Sequence, residues 1–190
     1  WAIRLGSFLF SRIHKDGEDK RFRTIKPSAT QFFMTWTLQG LWVSLCSMCA
    51  LTAISSESGV VVNAFYYLGV GLFIYGFYTE VKADNEKSKF RSIPENRDKF
   101  ITTGLWAKSR HPNYFGEIVL WAAIAVISLP SLSGLQYITL ISPIFTYVLY
   151  HLEASIQHTF AEHGARFPAY NSIVGSGANA CVLHYTENAD

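Results

Sequence analysis

Apolar and polar positions along this chain fall into long blocks rather than alternating. No Asp, Glu, Lys or Arg occurs from residue 27 to 56, from 58 to 79, or from 118 to 152. Crossing the hydrocarbon core of a bilayer takes about 20 mostly apolar residues. The first two blocks meet that length, although Gln39 and several Ser and Thr make the first moderately polar. The third is long enough for two short helices, with a break expected at "LPSLSG" (129–134), where Pro and Gly mark a turn. A buried helix of a soluble bundle would show a polar face at helical period. The stretch "FYYLGVGLFIYGFY" (65–78) shows none. The pattern therefore predicts a mainly α, multi-span transmembrane protein with about four membrane-embedded helices.

Composition agrees with this reading. The 190 residues are 49% hydrophobic and 16% charged, against roughly 25% charged in ordinary soluble domains. The net charge of +2 is uninformative, but its placement is not. Residues 1–26 hold seven Lys/Arg against three acids, and residues 80–117 hold eight against six. An even number of spans separates the two, so the positive-inside rule puts both, and the C-terminus, in the cytoplasm. Membrane lipid is the expected surrounding, and nothing in the charge pattern asks for nucleic acid. The opening "WAIRLGSFLF" lacks a basic start and a small-residue cleavage site, so it is not a signal peptide. It reads as the end of a helix whose start is missing. Cys46 and Cys49 form a C-x-x-C inside an apolar helix, where small buried residues at a helix–helix contact explain them better than redox chemistry.

Candidate chemistry concentrates in residues 80–121. "EVKADNEKSKFR" (80–91) continues the second span without a break, and Asp84, Lys87 and Arg91 share one face at i, i+3, i+7. Alone, this reads as a solvated helix drawn to anionic headgroups. In "GLWAKSRHPNYFGEIVLW" (104–121), Pro112 suits the first turn of a helix. Arg110, His111, Asn113 and Tyr114 then stand at a helix N-terminus on the membrane surface, where backbone N–H groups and the helix dipole favour an anion. Glu117 shares a face with Asn113 and enters the apolar span, where a carboxylate needs a partner or a task. The charged link "RIHKDGEDKRF" (12–22) gives no preference between a cofactor contact and a plain loop.

"HKDGEDKRFR", "KADNEKSKFRSIPENRDKFITTGLW" and "SRHPNYFGEIVLW", in that order and joined by apolar spans, resemble the membrane family of steroid 5α-reductases and sterol reductases over residues 1–149. The resemblance implies a cytoplasmic-facing NADPH site in the loop 80–117 and reduction of a carbon–carbon double bond in a small hydrophobic, steroid- or lipid-like substrate. It implies that Asp84 and Arg91 contact the adenine nucleotide. Asn113 and Glu117 would lie near nicotinamide and substrate, with Arg110, His111 and Tyr114 in the same motif. "RHPxYxG" is also similar to membrane methyltransferases of the isoprenylcysteine type, which use S-adenosylmethionine, and the motif alone does not separate the two. Against the family pattern, the first helices and the C-terminal stretch that completes the cofactor site are missing.

Beyond residue 150 the character changes. "FPAYNSIVGSG" and "ACVLHY" read as short strands around a Gly-rich turn, an α/β fragment too small to fold alone. Residues 151–188 resemble Xaa-Pro aminopeptidase of the pita-bread fold. That resemblance implies an active-site role for His184 and a substrate-pocket role for Tyr170. The family's metal ligands would all lie downstream, so no metal and no peptidase activity are expected. The chain thus reads as two fragments, 1–149 and 150–190, joined near residues 149–152 by an assembly artefact.

Overall fold

The structure, a computed structural model, describes residues 2–16, 25–96 and 99–162. Among these there is no strand, and the expected mainly α class holds. The expected strands around Tyr170 and His184 lie outside the described residues, as does Cys181.

The helices are α1 (Ala2–Asp16), α2 (Ala29–Ser55), α3 (Ala64–Arg91), α4 (Pro112–Ser128) and α5 (Ile141–Glu162), with two short 3₁₀ segments between α3 and α4 and two between α4 and α5. Each boundary has a local cause. The Asn63 side chain accepts the Tyr66 N–H at 3.2 Å and caps the start of α3. Pro112 occupies the first turn of α4, as its missing N–H allows. Leu129–Ser131 and Gly134–Leu140 are 3₁₀ turns, so the break expected at 129–134 is real. α3 runs unbroken from its apolar half into "EVKADNEKSKFR", also as expected. α5 runs from Ile141 to Glu162 and so passes the expected joint at 149–152 as one helix.

Two compact units make up the chain. Described residues up to 42 and from 153 to 162 belong to one, and residues 43–152 belong to the other. In the first, α1 exposes Ile3 and Phe10, and the Phe10 and His14 rings stack at 6.1 Å. The second holds every residue that concerns chemistry below. Its centre is the contact of α3 with α4. A Cβ on Gly76 would lie 2.6 Å from the Gly116 carbonyl oxygen, and one on Gly116 would lie 2.6 Å from the Glu80 nitrogen. Gly69 is similarly closed off, by Ile127 and the Ala123 carbonyl. Small residues let helix backbones approach, the usual device where lipid removes the hydrophobic drive between helices.

Cys46 and Cys49 are buried free thiols. The Cys49 thiol donates to the Thr139 carbonyl at 2.9 Å, and Ser142 Oγ donates to the Cys46 carbonyl at 2.6 Å. They are the small packing residues that the sequence indicated.

Among the described residues, two helical stretches are long and apolar enough to cross a membrane, Ala29–Ser55 and Pro112–Ser131. Large apolar side chains stand exposed along α2 and α3, among them Phe33, Leu41, Leu51, Leu68 and Ile74. An apolar surface of that extent needs lipid or another protein over it.

Candidate functional site

Asp84, Lys87 and Arg91 lie on the charged end of α3, and the start of α4 packs beside it. The Asn113 amide donates to Asp84 Oδ1 at 3.4 Å, while its own oxygen accepts the Tyr114 N–H at 3.1 Å. Asn113 is thereby fixed between the two helices and buried. The N-cap of α4 is His111, which makes no side-chain capping hydrogen bond. Arg110 is exposed just before it.

Charge crowds this end of the molecule. Burial, with the neighbouring Lys87 and Arg110, pushes the His111 imidazole down to about 4, so it is neutral at pH 7. Lys87 is pushed down to about 8 by burial and by Arg91, against an opposing pull from Asp84. Its ammonium lies over the Trp106 ring, 5.2 Å from the centroid.

Below the rim the rings form a column. His111 stacks on Tyr114 at 4.7 Å, and Tyr114 meets Tyr150 at 4.7 Å with planes 31° apart. Glu117 and Tyr150 are both fully enclosed. The Tyr150 hydroxyl faces the Glu117 carboxyl group, with Tyr114 and Cys46 also beside it, but makes no hydrogen bond of regular geometry. Glu80, one turn below Asp84 on α3, is buried as well.

The structure thus brings together Asp84, Arg91, Arg110, His111, Asn113, Tyr114 and Glu117, the residues chosen from sequence. His184 and Tyr170 lie outside the described residues. Three contributors were not chosen: Lys87, Trp106 and Tyr150. Lys87 was visible as a member of the Asp84 face. Tyr150 had no signal, since a tyrosine in a charge-free stretch looks like any other apolar-helix residue. Among the described residues, no group of three His, Cys, Asp or Glu stands close enough to hold a metal.

A mostly helical scaffold with two membrane-length apolar stretches among the described residues has the character of a membrane protein, and it carries the cationic Lys87, Arg91 and Arg110 together with a buried Glu117 and Tyr150. Residues 1–172 match the family described as "Protein of unknown function (DUF1295)", and the chain belongs to it. Over 61 residues the chain is 38% identical to a Delta(14)-sterol reductase of Gibberella zeae, covering 25% of this chain and 13% of that protein. A further match, 32% identical over 108 residues, is to a probable O-methyltransferase of Ustilaginoidea virens, covering 49% of this chain and 38% of that protein. Xaa-Pro aminopeptidase of Escherichia coli is 69% identical over 39 residues, 20% of this chain and 9% of the peptidase. The chain thus spans well under half of each of these relatives. No solved structure matches it.

Proposed function

We propose that this site serves NADPH-dependent reduction of a carbon–carbon double bond in a steroid- or lipid-like substrate. One observation carries the reading: Lys87, Arg91 and Arg110 gather around His111, whose ring begins the stack that leads through Tyr114 to the enclosed Glu117–Tyr150 pair. NADPH is a polyanion, whereas S-adenosylmethionine carries a sulfonium cation and no phosphate. Three cations beside a helix N-terminus suit the first and repel the second.

The residues present fit the cofactor. Lys87, Arg91 and Arg110 would take its phosphate charge, and Asn113, held by Asp84, would orient its polar ring substituents. When bound, NADPH supplies a hydride. The chain's own part is to exclude water below His111 and to hold a proton at Tyr150 Oη and Glu117, where an enone-like oxygen or its α-carbon needs one.

Methyl transfer is the second reading, favoured by the longer stretch shared with the Ustilaginoidea virens protein. Equilibrium binding to the detergent-solubilised chain separates the two. NADPH should bind and S-adenosylmethionine should not, and Asn113→Ala should weaken NADPH by about tenfold, as expected for a lost hydrogen bond to a charged or strongly polar group. Binding of S-adenosylmethionine alone would reverse the assignment.

A further inference from the structure

We propose that the turn Gly104–Ala107 is a strap that positions Lys87 for a polyanionic ligand, with Trp106 as the positioning residue. The proposal rests on the nucleotide reading above and deepens it.

Three features fasten the turn to α3. Trp106 Nε1 donates to the Ala83 carbonyl at 3.0 Å. Glu86 Oε2 accepts the Leu105 N–H at 2.9 Å. Gly104 sits at φ 61°, and a Cβ there would lie 2.5 Å from both Glu86 carboxylate oxygens. The positive φ favours glycine, and a Cβ would also push the Glu86 carboxylate away from the Leu105 N–H. The three positions on α3 are 83, 86 and 87, one face of a helix at i, i+3 and i+4.

Lys87 is the third of these. Its ammonium lies over the indole ring at 5.2 Å, within cation–π reach. The indole cannot turn away, because its N–H is committed to a backbone carbonyl. An interfacial tryptophan acting only as an anchor would offer that N–H to the headgroup layer. Here it faces the protein, and the ring becomes a fixed wall beside the amine.

The remaining groups around Lys87 are Asp84 and Arg91 on α3 and His111 at the start of α4, with Arg110 beside His111. Glu86 is occupied by the Leu105 N–H, on the turn. A lysine side chain has several free torsions, and ordering them on binding weakens affinity. The strap orders Lys87 beforehand. Its four neighbours then set the charge that a phosphate meets.

The test uses the full chain in detergent, with Trp106→Leu, Trp106→Phe, Glu86→Ala and Glu86→Gln. Two quantities are read: the pH dependence of Lys87 acetylation by trace acetic anhydride, followed by mass spectrometry, and the Kd for NADPH. In Trp106→Leu and Glu86→Ala the midpoint for Lys87 should rise from about 8 toward the ordinary lysine range, because the amine regains water. NADPH should bind about tenfold more weakly. Trp106→Phe, which keeps a ring face, should fall between, and Glu86→Gln should match the parent because an amide oxygen still accepts the Leu105 N–H. An unmoved Lys87 midpoint in both Trp106→Leu and Glu86→Ala overturns the strap. A moved midpoint with unchanged NADPH affinity overturns its role in binding. A moved midpoint in a chain that never bound NADPH keeps the strap and retires the nucleotide reading.

Discussion

Gly76 and Gly116 face each other across the α3–α4 contact so closely that neither has room for a methyl group. A Cβ on Gly76 would be 2.6 Å from the Gly116 carbonyl oxygen, and one on Gly116 would be 2.7 Å from the Gly76 carbonyl oxygen. This approach sets Asp84 and Asn113 within reach of each other one to two turns further on.

Alanine in a helix is ordinarily better than glycine by up to about 1 kcal/mol. At Gly76 or Gly116 the sign should invert, because the added methyl meets backbone that cannot rotate away. Overpacking of this kind costs about 1–3 kcal/mol. Gly71, on the same helix, has nothing within 4 Å. Thermal melts in detergent should show Gly76→Ala and Gly116→Ala lowered and Gly71→Ala unchanged or raised. Equal effects at all three positions would rule out the close contact.

The Asn63 cap gives a second stability prediction. Its side chain satisfies the Tyr66 N–H at the start of α3. Asn63→Ala should cost about 1 kcal/mol, and Asn63→Asp or Asn63→Ser should recover most of it. The melting temperatures of the three variants decide the matter.

His111 predicts a pH dependence with a definite sign. Its folded value of about 4 lies below the 6.5 of a free imidazole. Between these two values the unfolded chain binds more protons than the folded one. Stability should therefore fall as pH drops from about 6.5 toward about 4, and the slope should vanish in His111→Asn. A plot of melting temperature against pH for the two proteins would show it. Lys87 works in the same sense at higher pH. With its value at about 8 against 10.5, stability should rise with pH across that window. NADPH affinity should move the other way there, since the amine loses the charge that a phosphate needs.

Tyr150→Phe removes one hydroxyl and leaves the ring column intact. If the Glu117–Tyr150 pair holds the proton used in turnover, kcat should drop by about 10²-fold or more, with NADPH affinity altered less than about threefold. Single-turnover oxidation of NADPH against an enone substrate is the measurement. A full-speed Tyr150→Phe enzyme would remove Tyr150 from the proton-holding group.

What the sequence revealed depended on the range of the signal. Long charge-free blocks, Pro112 and the 129–134 turn are local, and α2, α3 and α4 followed from them. Asp84 with Asn113 was accessible because each stood in a charged motif. Tyr150 was not, because its value comes from a partner 33 positions away, at Glu117, and no spacing rule reaches that far. Trp106 carries no signal of its own in the sequence, because its role comes from the bond of its indole N–H to the Ala83 carbonyl. Gly76 and Gly116 are not marked out by any local pattern. Their constraint exists only once the two helices are side by side.

The length of α3 has one more consequence. Its 28 residues rise about 42 Å at 1.5 Å each, more than the roughly 30 Å of a hydrocarbon core. The apolar end and the charged end belong to one stiff rod. Whatever tilts the apolar end carries Lys87 and Arg91 with it, so the surroundings of residues 65–78 are felt at the charged end.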